Sequence, residues 1–306
     1  MGADEPIHTK VLRGYLKDFN MNENEKNILL KEEEKRIEET ITKIKHRIAV
    51  FSGKGGVGKT TVSVNLAFCY QNEGFSTGIL DADITGPNAA KMLGIKNELI
   101  ILNQSIIPFE KNGVKMVSIA GLIQPGQPVI WRGPLRSKLI NQFLADVAWG
   151  ELDFLIADLP PGTGDEILTI SQKMKPDYAV IITTPQEVSV IDAERAVNMA
   201  KKLEIPFIGI IENMSGFICP LCKNKIDLFD SGGGKKLADE YNVQFLGSIP
   251  IDIDIRILSD KGESIINKKP DSEVSNSFKS IVNKIEEHFN EIGNKQTTKK
   301  SYTEIK

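Results

Sequence analysis

Gly53-Lys54-Gly55-Gly56-Val57-Gly58-Lys59-Thr60 lies between a short apolar run, Ile48-Ala49-Val50-Phe51, and a periodic segment, Thr61-Val62-Ser63-Val64-Asn65-Leu66-Ala67-Phe68. The run reads as a buried strand and the segment as a helix, so the glycine-rich stretch is the turn between them. Its glycines let successive backbone N–H groups face inward onto phosphate oxygens at a helix N-terminus. The spacing G-x-x-x-x-G-K-[ST] assigns Lys59 to the terminal phosphates of a nucleoside triphosphate and the Thr60 hydroxyl to Mg²⁺. The ATP-binding set read from the loop is Gly53, Lys54, Gly55, Gly56, Val57, Gly58, Lys59, Thr60 and Thr61.

A dinucleotide-binding reading competes, because Gly53, Gly55 and Gly58 also satisfy G-x-G-x-x-G and Asp81 follows about 20 residues on. Lys59 and Thr60 decide against it. A pyrophosphate needs no lysine at that turn, whereas a triphosphate with magnesium needs both a cation and a hydroxyl.

Beyond the loop, strand-like runs at Thr77–Leu80, Val114–Ile119, Phe154–Ala157, Tyr178–Ile182, Phe207–Ile211 and Gln244–Ile249 alternate with helical patterns at Asp165–Met174, Ser189–Leu203, Gly234–Tyr241 and Ser272–Glu291. That rhythm predicts an α/β fold, a single P-loop NTPase domain whose mostly parallel sheet carries helices on both faces. It occupies residues 47–292. Residues 1–46 read as a charged helical N-terminal extension, a solvated helix packed loosely on the domain or joining a partner, and residues 293–306 as a polar tail.

Two runs place acids directly after strands. Ile79-Leu80-Asp81-Ala82-Asp83 ends one, and Phe154-Leu155-Ile156-Ala157-Asp158 ends another. Asp158 is the candidate that holds Mg²⁺ through water together with Thr60, and Asp83 the candidate that orients the attacking water. Gly162-Thr163-Gly164 reads as a switch turn.

Cys219-Pro220-Leu221-Cys222 sets two thiols at a spacing that lets both bind one metal centre. Tetrahedral zinc and a cuboidal cluster each want four ligands. The remaining Cys69 lies in the first helix of the domain, and His8, His46 and His288 are distant in sequence. A twofold axis joining two chains would supply the missing pair, so the cysteine count argues for a homodimer. An iron-sulfur cluster, a structural zinc and a redox dithiol all remain open on this reading.

The formal net charge of −3 over 306 residues carries no bias toward nucleic acid or membrane surfaces. No apolar run approaches the ~18 residues of a membrane span. Three cysteines fit a reducing compartment, so a cytoplasmic protein without membrane or nucleic-acid partners is expected.

Lys54-Gly55-Gly56-Val57-Gly58-Lys59, Asp81-Ala82-Asp83-Ile84-Thr85-Gly86-Pro87, Trp131-Arg132-Gly133-Pro134, Asp158-Leu159-Pro160-Pro161-Gly162-Thr163-Gly164-Asp165, Thr184-Pro185-Gln186 and Glu212-Asn213-Met214-Ser215 together resemble the Mrp/ApbC family of iron-sulfur cluster carrier ATPases. The resemblance covers roughly residues 47–265. It implies a deviant Walker A loop whose Lys54 reaches the nucleotide of the other subunit. It also implies that Asn213 contacts adenine, that Asp83 assists slow ATP hydrolysis, and that Cys219 and Cys222 bridge a labile 4Fe-4S cluster between subunits for delivery to apo iron-sulfur proteins. Residues 1–46 hold no cysteine, so the second cluster of eukaryotic cytosolic members has no ligands there. The wider resemblance to MinD and ParA leaves an alternative, an ATP-driven positioning or partitioning switch.

Overall fold

The computed structural model describes residues 22–303 apart from 84–85, 96–98, 104, 120–132, 163, 220 and 223. Trp131, Arg132, Ile84, Thr85 and Thr163 of the motifs above, together with Pro220 and His8, therefore lie outside the described residues.

Period-two burial builds the sheet. Along β1 (Ile44–Ser52), Ile48 and Val50 enter one apolar cluster while Ala49 and Phe51 enter another. Along β7 (Leu152–Asp158), Phe154 and Ile156 face the first cluster and Leu155 and Ala157 the second. A strand buried on both sides is what a parallel sheet between helical layers requires.

β1 pairs in parallel with β7 and with β8 (Tyr178–Thr183). β2 (Thr77–Asp81) lies beyond β7, followed by β6 (Val114–Ser118) and the antiparallel edge β5 (Phe109–Lys111). On the other side β8 carries β9 (Phe207–Ile218), which pairs with β11 (Gln244–Ile251) and, antiparallel at its far end, with β10 (Lys225–Ile226). A separate hairpin joins β3 (Ile100–Leu102) to β4 (Ser105–Ile107).

One face of the sheet is covered by α2 (Lys59–Asn72), the short α9 (Ile265–Lys268) and α10 (Glu273–Thr303), through Leu66, Phe68, Ile265, Phe278 and Ile281. The other face is covered by α1 (Glu23–Ile41), α4 (Gly133–Ala145), α5 (Asp165–Met174), α6 (Glu187–Lys202) and α7 (Gly233–Tyr241). The short α3 (Ala89–Met92) and α8 (Ile253–Asp260) complete the order. The expected α/β architecture with helices on both faces is the one observed.

Several boundaries differ from the sequence reading. β1 begins at Ile44, inside the stretch assigned to the extension, because the polar Lys45, His46 and Arg47 hide its strand pattern. The extension helix is not loosely packed throughout: Ile37 and Ile41 are buried in the core. β9 runs seven residues past Ile211 and includes the segment read as leading into a loop. The backbone of α10 continues to Thr303, across the boundary drawn at 292.

Candidate nucleotide and cysteine sites

The strand ends converge at the carboxyl edge of the sheet. Val50 of β1 and Asp81 of β2 are both register partners of Asp158 on β7, so the glycine loop leaving β1 emerges beside two aspartates. α2 starts at Lys59 after Gly58, whose φ of 82° is open to glycine at little cost. No side chain caps this helix start, which leaves its amide N–H groups available to an anion. A cavity of about 210 Å³ opens there, lined by Lys54 to Thr61 together with Asp83, Gly86, Asn88, Met92 and Pro161.

The charged centre of this cavity is one buried cluster. Lys59 Nζ donates to Asp158 Oδ1 at 2.7 Å, the Thr60 hydroxyl to Asp158 Oδ2 at 2.6 Å, and the Ser63 hydroxyl to Asp158 Oδ1 at 2.8 Å. Asp158 is fully buried and Lys59 nearly so. Thr60 and Asp158 thus stand as adjacent hard oxygen donors, the set that suits Mg²⁺ beside a phosphate, and Lys59 is the cation that would meet the phosphate itself.

Next to them, Asp81 accepts the Ser118 hydroxyl at 2.8 Å and the Asp83 N–H at 3.2 Å. Burial pushes its carboxyl up to about 7, helped by the negative charge of Asp158. Asp83 lines the cavity, and its Oδ1 accepts the Gly86 N–H at 3.1 Å.

Not all loop glycines serve the same end. A side chain at Gly53 would meet the Asp192 carbonyl oxygen of α6 at 2.0 Å, so glycine there permits strand and helix to touch. A side chain at Gly58 would strike the Asn213 amide nitrogen at 2.3 Å, whereas Gly55 faces open space. Asn213 itself donates from Nδ2 to the Val57 carbonyl at 2.8 Å and so anchors the loop to β9.

β9 continues from that anchor to the cysteines. Met214 and Gly216 take φ of 58° and 78°, and the register against β11 shifts between Ile249 and Ile251, so the strand kinks beside the loop. Left-handed backbone is costly at methionine. Before the kink, the fully buried Glu212 accepts the Ser215 hydroxyl at 2.6 Å and the N–H groups of Gly232 and Gly234 at 2.9 and 2.7 Å. It thereby ties β9 to the start of α7, where the chain returns from the cysteine hairpin.

Cys219 follows β9 directly, and its N–H donates to the Asn224 carbonyl at 3.0 Å to close the hairpin. Cys222 is exposed, and Leu221 between the two cysteines is 92% exposed. Cys69 is buried in α2 with its thiol pushed up to about 12 by burial, a packing role. His46 stacks on Phe289 at a centroid distance of 4.0 Å and His288 packs on Phe207 at 3.7 Å. His46 pairs with Phe154 in the sheet, four residues before Asp158, which places this aromatic cluster toward the opposite edge from the loop. Among the described residues no group of three or more His, Cys, Asp or Glu could hold a metal ion.

The structure therefore brings Lys54 to Thr61 and Asp83 around one cavity, with Asp158 buried behind Lys59 and Thr60 and Asn213 holding the loop from β9, while Gly53 packs on α6 and Cys219 and Cys222 lie on the hairpin that follows β9. The sequence reading missed Ser63, which lies one helical turn after Lys59, and the roles of Asp81 and Glu212. Asp81 had a signal, since it ends a strand as Asp158 does. Nothing local marked Ser63 or Glu212.

The comparisons with known proteins agree with this geometry. The family model described as NUBPL iron-transfer P-loop NTPase matches residues 43–286. The iron-sulfur cluster carrier protein of Methanocaldococcus jannaschii is 52% identical over 263 residues, 85% of this chain and 90% of the relative. The cytosolic Fe-S cluster assembly factor NUBP2 homolog of Dictyostelium discoideum is 42% identical over 248 residues, 78% of this chain and 94% of the relative. Among solved structures, a nucleotide-binding protein from Archaeoglobus fulgidus in complex with ADP superposes with a TM-score of 0.67 at 42% identity, covering 76% of this chain and 92% of that one. The cell division ATPase MinD of Pyrococcus furiosus, at 21% identity and a TM-score of 0.59 over 79% of this chain and 98% of that one, shares the fold. With its phosphate loop, buried Lys59–Asp158 pair and matched length, the chain belongs to the NUBPL iron-transfer P-loop NTPase family, among the iron-sulfur cluster carrier proteins.

Proposed function

We propose that this protein is an ATP-dependent carrier of a labile 4Fe-4S cluster, held between two copies of the chain by Cys219 and Cys222 of each and passed to apo iron-sulfur proteins. The observation that carries the reading is the shared strand: β9 anchors the phosphate loop through Asn213 and, six residues later, presents Cys219. A nucleotide that moves the loop then moves the cysteine hairpin as well. One chain offers two thiols where a cuboidal cluster takes four, so the homodimer supplies the rest. Exposed Val188 and Ile191 on α6 and Leu221, Leu228 and Phe229 around the hairpin offer apolar surface for such a contact.

In this reading Thr60 and Asp158 would hold Mg²⁺, which would supply positive charge to the phosphates, while Lys59 neutralises them. Asp83 orients the attacking water, Asn213 borders adenine, and Lys54 completes the partner's site. Hydrolysis is slow because its product is a change of state rather than bulk turnover. Delivery exchanges each Fe–S(Cys) bond for a bond to a recipient thiolate, with no change in the electron count of the cluster.

Anaerobic reconstitution tests the carrier. Four iron and four acid-labile sulfide per dimer are expected, with a broad visible absorption, and the single variants Cys219→Ser and Cys222→Ser should lose it. Zinc in place of iron, or cluster content unchanged in the serine variants, would sink the assignment. Lys54→Ala should keep nucleotide affinity within a few-fold yet slow hydrolysis; a loss of affinity equal to that of Lys59→Ala would remove Lys54 from its proposed role. The positioning-switch alternative draws no support from α10, whose apolar residues Val274, Phe278, Ile281 and Ile285 are buried against the sheet rather than offered to a membrane.

A further inference from the structure

Glu212 is a fully buried carboxylate, and its three hydrogen-bond donors all belong to the frame of the cysteine hairpin. Oε1 accepts the Ser215 hydroxyl at 2.6 Å and the Gly232 N–H at 2.9 Å, and Oε2 accepts the Gly234 N–H at 2.7 Å. Ser215 lies on the outgoing arm, between Met214 and Gly216, whose left-handed φ kinks the strand. Gly232 and Gly234 lie on the returning arm, at the start of α7. One side chain therefore closes the base of the excursion that carries Cys219 and Cys222. None of its donors is a cation, so the charge is held by positioned neutral groups at a helix N-terminus, the end that favours an anion. A side chain at Gly234 would meet Glu212 Cβ at 3.1 Å and Thr183 Cγ2 at 3.2 Å, so the returning arm sits close against β9 and β8.

The next residue along β9 is the anchor of the phosphate loop. Successive side chains of a strand point to opposite faces, and burial along β9 obeys this: Ile210 enters the apolar cluster on the α6 and α7 side, Ile211 the one on the α2 side. Glu212 shares the side of Ile210 and reaches α7, whereas Asn213 shares the side of Ile211 and reaches the Val57 carbonyl. Two adjacent residues thus tie the same stretch of backbone to the hairpin on one side and to the phosphate loop on the other. Beside the clasp is a cavity of about 240 Å³ lined by Ser215, Gly216, Ile218, Ser231, Ser248 and Pro250, which gives the end of β9 room to shift.

We propose that Glu212 is a positioning residue that carries the state of the nucleotide cavity to the cysteine hairpin. Movement of the phosphate loop acts on β9 through Asn213, and the Glu212 clasp makes both arms of the hairpin follow. This role rests on the proposed carrier function and names the side chain through which its nucleotide coupling runs.

Alkylation of the reduced, cluster-free full chain by iodoacetamide, read separately at Cys69, Cys219 and Cys222 by mass spectrometry, tests the clasp. In the wild type, a non-hydrolysable ATP analogue with Mg²⁺ should change the rates at Cys219 and Cys222 roughly fivefold, because thiol reactivity follows exposure and local charge. Glu212→Gln should bind the analogue within about threefold of wild-type affinity by calorimetry, yet alkylate at Cys219 and Cys222 at the same rates with and without it. Buried Cys69 should stay unreactive in both proteins, which reports an intact core. If Glu212→Gln unmasks Cys69, Ser215→Ala removes only one of the three donors and should lose about half of the response. A response in Glu212→Gln equal to that of the wild type would overturn the proposal, because the hairpin would then follow without the clasp. So would wild-type rates indifferent to the analogue, or analogue binding by Glu212→Gln weakened about tenfold or more, which would place Glu212 in the service of the nucleotide site. Wild-type protein that keeps the thiol response but takes up no cluster on reconstitution would sink the carrier function and leave the clasp standing.

Discussion

The phosphate loop follows β1 and is held to β9 by Asn213, the cysteine hairpin follows β9 itself, and the two differ in almost every physical respect. At the loop, Lys59 and Asp158 are buried, Asp158 receives three side-chain donors, and Asn213 pins the backbone. At the hairpin, Cys222 and Leu221 face solvent and β10 contributes a two-residue strand. The loop's buried charges are all partnered within one chain. In the proposed reading the hairpin is half of a site, and its exposed apolar residues are what a second chain would cover. A nucleotide meets a preformed cradle, whereas the cluster is expected to assemble its own cage.

Lys59→Ala should break this contrast most severely. Removing the cation proposed to meet the phosphates is expected to weaken nucleotide binding about 100-fold, the scale of a strong charge-assisted contact. It also leaves Asp158 buried without its ion-pair partner, which is expected to lower stability by about 3–5 kcal/mol. Isothermal titration and denaturant unfolding would measure both. Cluster content reconstituted without nucleotide should be unchanged; if it falls in step, the two regions are not separable.

Gly58→Ala comes next, because the added methyl meets both a φ of 82° and the Asn213 amide. A destabilisation of about 1–3 kcal/mol is expected, against less than about 0.5 for Gly55→Ala, which faces open space. Equal losses in nucleotide-free unfolding would mean that Asn213 does not hold the loop.

Asp81→Asn gives the smallest and most pH-dependent effect. The folded protein holds the Asp81 proton up to about pH 7, while the unfolded chain releases it near pH ~4. The folded state therefore binds the extra proton between these values, so this contribution to stability is full below about pH 4 and is lost as pH rises toward 7. Asparagine should flatten that decline in unfolding midpoints measured across pH 4–8. A decline unchanged in the variant would assign it to another group.

The nucleotide site was legible because its chemistry is local. Gly58, Lys59 and Thr60 act through the backbone turn and side chains that neighbour one another in sequence, so spacing alone names their partners. Asp158 was legible because a strand end fixes its position. Ser63 and Glu212 were not, since a serine in a helix and a glutamate in a strand carry no local mark of what lies opposite. β1 was read late because Lys45, His46 and Arg47 break its apolar run, and the same polarity made α1 look detached although Ile37 and Ile41 reach the core.

By itself the sequence determined the strand-loop-helix unit and the alternating architecture and named the candidate phosphate-binding and cysteine residues, because periodicity and short spacings are properties of neighbouring residues. Tertiary structure alone decided that Asp81 and Asp158 lie side by side, that Asn213 reaches back 156 residues to the Val57 carbonyl, and that one kinked strand joins the loop to the cysteines. Those relations depend on which strands pair and in what register, and long-range packing sets that register.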